Sequence, residues 1–234
     1  MGFHYTKYGK RELLLLLCIT LLALSVCMLL FSGAPGRVKL VLGLLVLLTG
    51  GAVSLFFRNP PRPSPQGEDT LLAPADGKII ALENPSPEEF PWFEGEELFK
   101  IGIFLSIWDV HINRAPWAIE IKDLEYRRGG HLNARNPLSS SRNESCTLYG
   151  RTEGSIPGIP LAVRQISGAV ARRIVCDTAP GHRLIRGEAY GMIKFGSRTE
   201  LLIPRRFLKE LRVALGDRVK AGQSILAVIQ KEKE

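Results

Sequence analysis

The 234-residue chain has only four cysteines and four histidines, and neither set is spaced to hold a metal. Cys18 and Cys27 fall in one apolar run, and Cys146 and Cys176 stand alone. No His-x-His, His-x-x-x-Asp or paired cysteines occur, which argues against a zinc peptidase. Free buried thiols fit a reducing compartment. Gly-x-Ser-x-Gly is missing, so a serine hydrolase of the nucleophile-elbow kind is disfavoured. Dinucleotide and P-loop fingerprints are missing as well. The net charge is +8, yet the basic residues do not gather into an aromatic-interleaved patch, so nucleic acid is a poor partner. An anionic lipid surface suits that charge better.

Charge is also lacking along two N-terminal stretches, Leu13 to Phe31 and Leu40 to Phe57. Each approaches the roughly 20 apolar residues that cross a bilayer. Ser32-Gly33-Ala34-Pro35-Gly36-Arg37 breaks them apart, so the pattern predicts a transmembrane helical hairpin over residues 1–57. Ser32-Gly33-Ala34 also passes as a signal-peptide cleavage site, but a second apolar run follows at once. Both runs are apolar all round, unlike the one-sided helices of a soluble core. Lys7, Lys10, Arg11, Arg58 and Arg62 flank the hairpin, against Arg37 and Lys39 at its tip, which places both ends in the cytoplasm by a small margin.

Residues 58–70 are proline-rich and predict a stiff, extended linker. Beyond them, short β-type runs alternate with Gly, Pro and Asp: Lys78–Leu82, Phe99–Leu105, Trp117–Leu124, Leu161–Ile166, Arg173–Asp177, Ala189–Ile193, Glu200–Ile203 and Ser224–Gln230. Gly168–Arg173 and Arg205–Leu211 hint at short helices. The expected fold is mainly β (α+β), with a β-rich domain over 71–234. The Leu215–Gln223 stretch resembles the turns of biotinyl- and lipoyl-type barrel-sandwiches. No lysine sits at a carrier-type hairpin tip, so Asp217 and Gly222 read as turn residues. Phe90-Pro91-Trp92-Phe93 reads as a core cluster rather than as an aromatic membrane anchor.

Chemistry has few places to reside. His111 lies in Asp109-Val110-His111-Ile112-Asn113-Arg114-Ala115-Pro116, where an apolar–polar alternation ends in four polar residue types. His131 lies in a Gly-rich loop and His182 in a turn. Phe195-Gly196-Ser197-Arg198 follows an apolar run. A serine directly after a glycine can attack its own peptide bond, because the preceding residue has no side chain to shield the carbonyl. On the dipeptide alone, a turn is the commoner explanation.

Taken together, Phe56-Phe57-Arg58-Asn59-Pro60, Ala73-Pro74-Ala75-Asp76-Gly77-Lys78, the His111 segment, Asn143-Glu144, Gln165–Val175, Phe195-Gly196-Ser197-Arg198 and Gly216-Asp217 resemble the short, membrane-anchored phosphatidylserine decarboxylases. The resemblance runs from about Phe56 to Ile229. It implies self-cleavage between Gly196 and Ser197 into a large and a small chain that stay together as a heterodimer. It further implies a pyruvoyl group made from Ser197, with neither metal nor pyridoxal phosphate. Phosphatidylserine in the bilayer would be decarboxylated to phosphatidylethanolamine through a Schiff base. Ser197, His111 and Asp76 match the family's catalytic positions, with Asp76 orienting a histidine. Arg114 stands where longer relatives carry a second histidine, and arginine cannot act as a general base. Either His111 serves both self-cleavage and decarboxylation, or another group activates Ser197, with His131 the candidate; Arg114 is a candidate for binding the lipid phosphate or carboxylate, and Asn143 and Glu144 for lining the site. The same chemistry on an ether-linked serine lipid, and a membrane-tethered β module with an inert Ser197, are the rival readings.

Overall fold

A computed structural model describes residues 4–65, 67, 69–169, 173–194 and 196–230. It divides into two compact units, ending and beginning at Pro61 and Arg62.

The first unit is a pair of helices, α1 (Lys10–Leu30) and α2 (Gly36–Ser54). Both are long and apolar enough to cross a membrane. Almost none of their residues is buried within the unit, which is compatible with a membrane anchor. They approach closely at Gly50, where a Cβ would lie 2.7 Å from Thr20 Oγ1. Small residues permit such contacts between membrane helices. The ends are tied by backbone bonds from Thr6 to Phe57 (2.9 Å) and from Asn59 to His4 (2.7 Å).

The second unit is mainly β. Its strands are β1 (Thr70–Leu72), β2 (Gly77–Glu83), β3 (Leu98–Leu105), β4 (Ile112–Arg114), β5 (Ile119–Arg127), β6 (Ser145–Thr152), β7 (Pro160–Ser167), β8 (Ile174–Cys176), β9 (Arg183–Leu184), β10 (Ala189–Ile193), β11 (Ser197–Pro204), β12 (Leu208–Leu211), β13 (Arg218–Val219) and β14 (Ile225–Ile229). Eight form one curled antiparallel sheet in the order β13-β2-β3-β11-β7-β6-β5-β9. Two three-stranded sheets, β1-β14-β12 and β4-β10-β8, complete it.

Strand β11 lies between β3 and β7, and its alternation sorts two environments. Leu201 and Ile203 enter the main core beside Ile101, Ile103, Leu161 and Val163. Thr199 and Ser197 continue the same face, so the interior turns from apolar to polar toward Ser197. On the opposite face Leu202 packs with Phe90, Phe93, Leu98 and Tyr149. Phe90 and Phe93 are therefore core residues, and Trp92 stacks on Tyr149 at 5.2 Å between ring centroids.

One expectation needs correction. Arg205–Leu211 is not a helix: one 3₁₀ turn (Arg205–Phe207) leads into β12, which pairs with β14 through a bulge. The Leu208/Leu211 spacing mimics a helix face, but β14 offers unpaired backbone groups that a strand satisfies. The helix hint at Gly168–Arg173 falls largely on residues 170–172, outside the described residues. Cys146 and Cys176, free thiols remote in sequence, interact in the fold, which drives the Cys176 thiol upward and the Cys146 thiol downward from the ordinary range.

Candidate active site

Gly196, Ser197 and His111 come together at the junction between β10 and β11. Gly196 has φ +69°, a left-handed conformation natural to glycine, and leads directly into β11. Ser197 is the first residue of that strand and is fully buried. Its Oγ has no hydrogen-bond partner among the described residues. A buried hydroxyl without a partner costs free energy, so its retention calls for an explanation. Phe195, the neighbour on the other side of Gly196, lies outside the described residues.

His111 reaches the same junction from the segment before β4 and is also fully buried. Its Nδ1 lies 3.0 Å from the Asp109 carbonyl, and its Nε2 lies 3.3 Å from the Gly196 nitrogen, whose N–H points at it. A carbonyl oxygen only accepts and an amide N–H only donates. The contacts therefore assign the neutral tautomer with the proton on Nδ1 and a lone pair on Nε2.

The carbonyl of Gly196 faces the bare α-carbon of Gly168, where an added Cβ would lie 2.2 Å from the oxygen. Ser167, just before Gly168, is the cross-strand partner of Ser197. Directly opposed side chains share a face at about 4.5–5.5 Å between Cβ atoms. Ser167 Oγ lies 3.4 Å from Nδ1 of His131, which stands on the exposed rim.

Of the remaining candidates, Asn143 contacts this centre through the Ser167 carbonyl, and the others bond elsewhere. Asp76 is buried, and its two carboxylate oxygens take both Arg62 Nη atoms, the Oδ2 contact being 2.7 Å. Its Oδ1 also accepts the Ala221 N–H at 2.8 Å. The His111 Nδ1 contact is made with the Asp109 main-chain carbonyl. Arg114 donates through Nη1 to the Gly187 carbonyl at 3.0 Å. Asn143 is fully buried: Nδ2 donates to the Leu132 and Ser167 carbonyls (2.8 and 2.7 Å) and Oδ1 accepts the Leu132 N–H (2.8 Å). It thereby fixes the His131 loop to the end of β7. Glu144 Oε1 accepts from the Tyr126 hydroxyl at 2.6 Å.

Two constellations escape sequence reasoning. Under the junction, Asn113 Nδ2 donates to Thr199 Oγ1 (3.0 Å) and its Oδ1 accepts from Gln165 Nε2 (2.9 Å), all three residues being buried. Polar residues at inward positions of β7 and β11 were the available signal. On the other face, Glu200 is fully buried against Arg164 (2.6 Å) and Arg198 (2.8 Å), with Lys100 at 3.9 Å. Burial opposes ionisation of Glu200, but Arg164, Arg198 and Lys100 together hold its carboxyl below the usual carboxylate range. Among the described residues no cluster of three or more His, Cys, Asp or Glu is placed to hold a metal ion.

A model of the family described as phosphatidylserine decarboxylase matches residues 50–227. The chain belongs to that family. It is 41% identical to the phosphatidylserine decarboxylase proenzyme of Geobacter metallireducens, across 76% of this chain and 80% of the relative. It is 39% identical to the proenzyme of Geotalea uraniireducens, across 85% and 93%. It is 40% identical to that of Nitrosomonas europaea, across 74% and 76%. Membership places the chain among carboxy-lyases, and the word proenzyme marks these relatives as made in precursor form.

Proposed function

We propose that the chain cleaves itself between Gly196 and Ser197 and then decarboxylates phosphatidylserine. The observation that carries this reading is a buried Ser197 Oγ with no hydrogen-bond partner among the described residues, directly after a left-handed Gly196 whose N–H meets His111 Nε2.

In the first step His111 Nε2 takes the Ser197 hydroxyl proton, exchanging its present contact with the Gly196 N–H for one a residue further on. The freed Oγ attacks the Gly196 carbonyl, forming a C–O bond; the peptide C–N bond then breaks as the His111 imidazolium returns its proton to the Ser197 nitrogen, leaving an ester and an amine. Loss of the Ser197 α-proton then expels the Gly196 carboxylate and leaves a dehydroalanine at position 197. Water hydrolyses its imine tautomer, and ammonia leaves. Position 197 becomes a pyruvoyl cap on the chain 197–234, and the large chain ends at Gly196. The surroundings suit that cap, since the Ser197 site is enclosed and edged by neutral polar groups (Asn113, Thr199, Gln165).

When formed, the pyruvoyl group supplies a ketone that takes up the substrate's amine and accepts the electron pair released with CO₂. His111, already at the junction, returns a proton to the former α-carbon. Asp76 with Arg62, Arg114 at Gly187, and Asn143 with the His131 loop act as positioning residues around the junction, and Glu144 braces the loop edge through Tyr126. The helical hairpin holds the enzyme in the membrane that contains its substrate, with both chain ends in the cytoplasm. The large and small chains form a heterodimer.

His131 is a second candidate for activating Ser197, working through Ser167, and the 3.4 Å contact with Ser167 favours keeping it. Intact mass spectrometry decides these points. The wild type is expected as two chains split at Gly196–Ser197, the small one blocked at its N-terminus, and Ser197→Ala as one chain. His111→Gln remains uncleaved if His111 is the base, whereas His131→Gln then matures normally. An intact wild-type chain refutes the reading. A panel of ester- and ether-linked serine lipids fixes the substrate.

A further inference from the structure

Two surface turns of the β unit share one construction. In the first, the Asp109 N–H donates to the Ser106 carbonyl (3.0 Å) and the Asp109 carboxylate accepts the Ser106 N–H (2.8 Å). In the second, the Asp217 N–H donates to the Ala214 carbonyl (3.2 Å) and the Asp217 carboxylate accepts the Ala214 N–H (2.8 Å). An aspartate closing a tight turn is ordinary; the residues at the tips are not. The first turn presents Ile107 and Trp108, 52% and 79% exposed, and the second presents Leu215, 64% exposed. Turn tips normally carry small or polar residues, and neighbouring exposed apolar side chains of this size mark an interaction surface.

Both turns border one cleft of about 540 Å³. Ser106, Asp109, Leu215 and Gly216 line it together with three cations, Lys78, Arg135 and Arg218. Arg218 also faces Asp109 at 3.6 Å and so links the turns. An apolar crest over a basic cleft is complementary to a bilayer whose surface is anionic: the crest enters the headgroup boundary and the cations meet phosphate. Trp suits that boundary because its ring is apolar and its N–H is polar. The turn that carries Trp108 continues into His111, and Leu105 just before it is the cross-strand partner of Ser197.

We propose that Ile107, Trp108 and Leu215 dock the β unit onto an anionic phospholipid surface, with Lys78, Arg135 and Arg218 taking phosphate groups in the cleft. The inference rests on the decarboxylase reading in making the bilayer the source of substrate, because docking there brings the Ser106–His111 segment to the lipid.

The test uses the full chain in proteoliposomes and has two readouts. The first needs no activity: quenching of tryptophan emission by lipids brominated near the headgroup. The wild type is expected to show a quenched component that Trp108→Phe removes. A wild type without that component, or an unchanged one in the variant, overturns the docking. The second compares turnover of phosphatidylserine in vesicles with that of a monomeric short-chain analogue. For Trp108→Glu with Leu215→Glu the vesicle-to-monomer ratio should fall about tenfold, whereas Trp108→Leu preserves it. Vesicles of phosphatidylcholine with or without phosphatidylglycerol test the charges. Adding phosphatidylglycerol should raise wild-type turnover but not that of a Lys78→Gln, Arg135→Gln, Arg218→Gln variant. A constant ratio in the double glutamate variant overturns the proposal. A wild type that turns over neither substrate refutes the decarboxylase reading instead, and the quenching result still decides the docking.

Discussion

A serine hydroxyl at neutral pH is a weak nucleophile, so the reactivity proposed for Ser197 would have to come from what surrounds it. Three single residues supply the surroundings. Gly196 turns the chain through a left-handed conformation into β11. His111 aims an unprotonated nitrogen at the junction because Asp109 occupies its other nitrogen. Gly168 leaves room for the Gly196 carbonyl, which the hydroxyl would attack in the proposed cleavage. The last point gives a prediction that does not touch any titratable group. In Gly168→Ala the new Cβ would overlap the carbonyl oxygen at 2.2 Å, and the oxygen belongs to backbone that cannot rotate away. Overpacking of this kind costs about 1–3 kcal/mol. Part of that cost moves the scissile carbonyl, so self-cleavage should slow by more than thermal unfolding shifts. Gel analysis of the cleaved fraction over time, with a thermal melt alongside, measures both. Wild-type cleavage in Gly168→Ala would remove Gly168 from the account.

At the scale of elements, buried charge pairs hold segments that are distant in sequence. Arg62 sits in the proline-rich stretch and grips Asp76, with side chains only 7% and 10% exposed. The Ala221 N–H joins them, so one carboxylate gathers three segments. If Asp76 acts by positioning, Arg62→Ala should slow self-cleavage as Asp76→Asn does, and the double variant should be no worse than Asp76→Asn alone. Additive effects on the cleavage rate would instead give Asp76 a role independent of Arg62. Glu200 provides the counterpart on the outer face of β11. Its folded-state carboxyl titrates below the usual carboxylate range, so its contribution is present above that range and disappears as pH falls through the lower folded value. Glu200→Gln leaves Arg164, Arg198 and Lys100 without their shared anion and should cost about 3–5 kcal/mol at neutral pH. It should also flatten the acid side of the stability profile, which denaturant melts at stepped pH would reveal. These pairs mark where sequence reading runs out. Charge-free runs disclose the helical hairpin, and alternation discloses β3, β7 and β10, because each depends on neighbours along the chain. Arg164 and Glu200 meet only after β7 and β11 pair, and no local pattern announces that. Strand β6 is missed for a related reason. Its inward positions are Cys146, Leu148 and Gly150, too weak an apolar rhythm to stand out against Ser145, Thr147 and Arg151. Ser197 itself is legible only because several motifs occur in order along the chain. The dipeptide alone says turn.

For the whole molecule, the topology determines what cleavage at Gly196–Ser197 can do. The bond lies at the entrance to β11, so breaking it frees an end without removing a strand. After cleavage the chain 197–234 would keep β11 paired with β3 along all eight of its residues and with β7 along six. Its β13 would still pair with β2 and its β14 with β1, all from the large chain. The small chain also contributes Leu201, Ile203, Phe207, Val219, Leu226, Ala227 and Ile229 to the main core. Withdrawing it would expose both edges of the central sheet and open that core, whereas retaining it costs only local freedom at the new ends. The two chains should therefore co-purify and elute together from a sizing column in mild detergent. They should separate only under conditions that unfold the β unit, and then in a single transition. Chemical denaturation followed at once by tryptophan emission and by release of the small chain tests this directly. Coincident midpoints agree with one shared core. Release at lower denaturant than the loss of tryptophan signal would mean that the large chain holds its fold alone, contrary to the central place of β11.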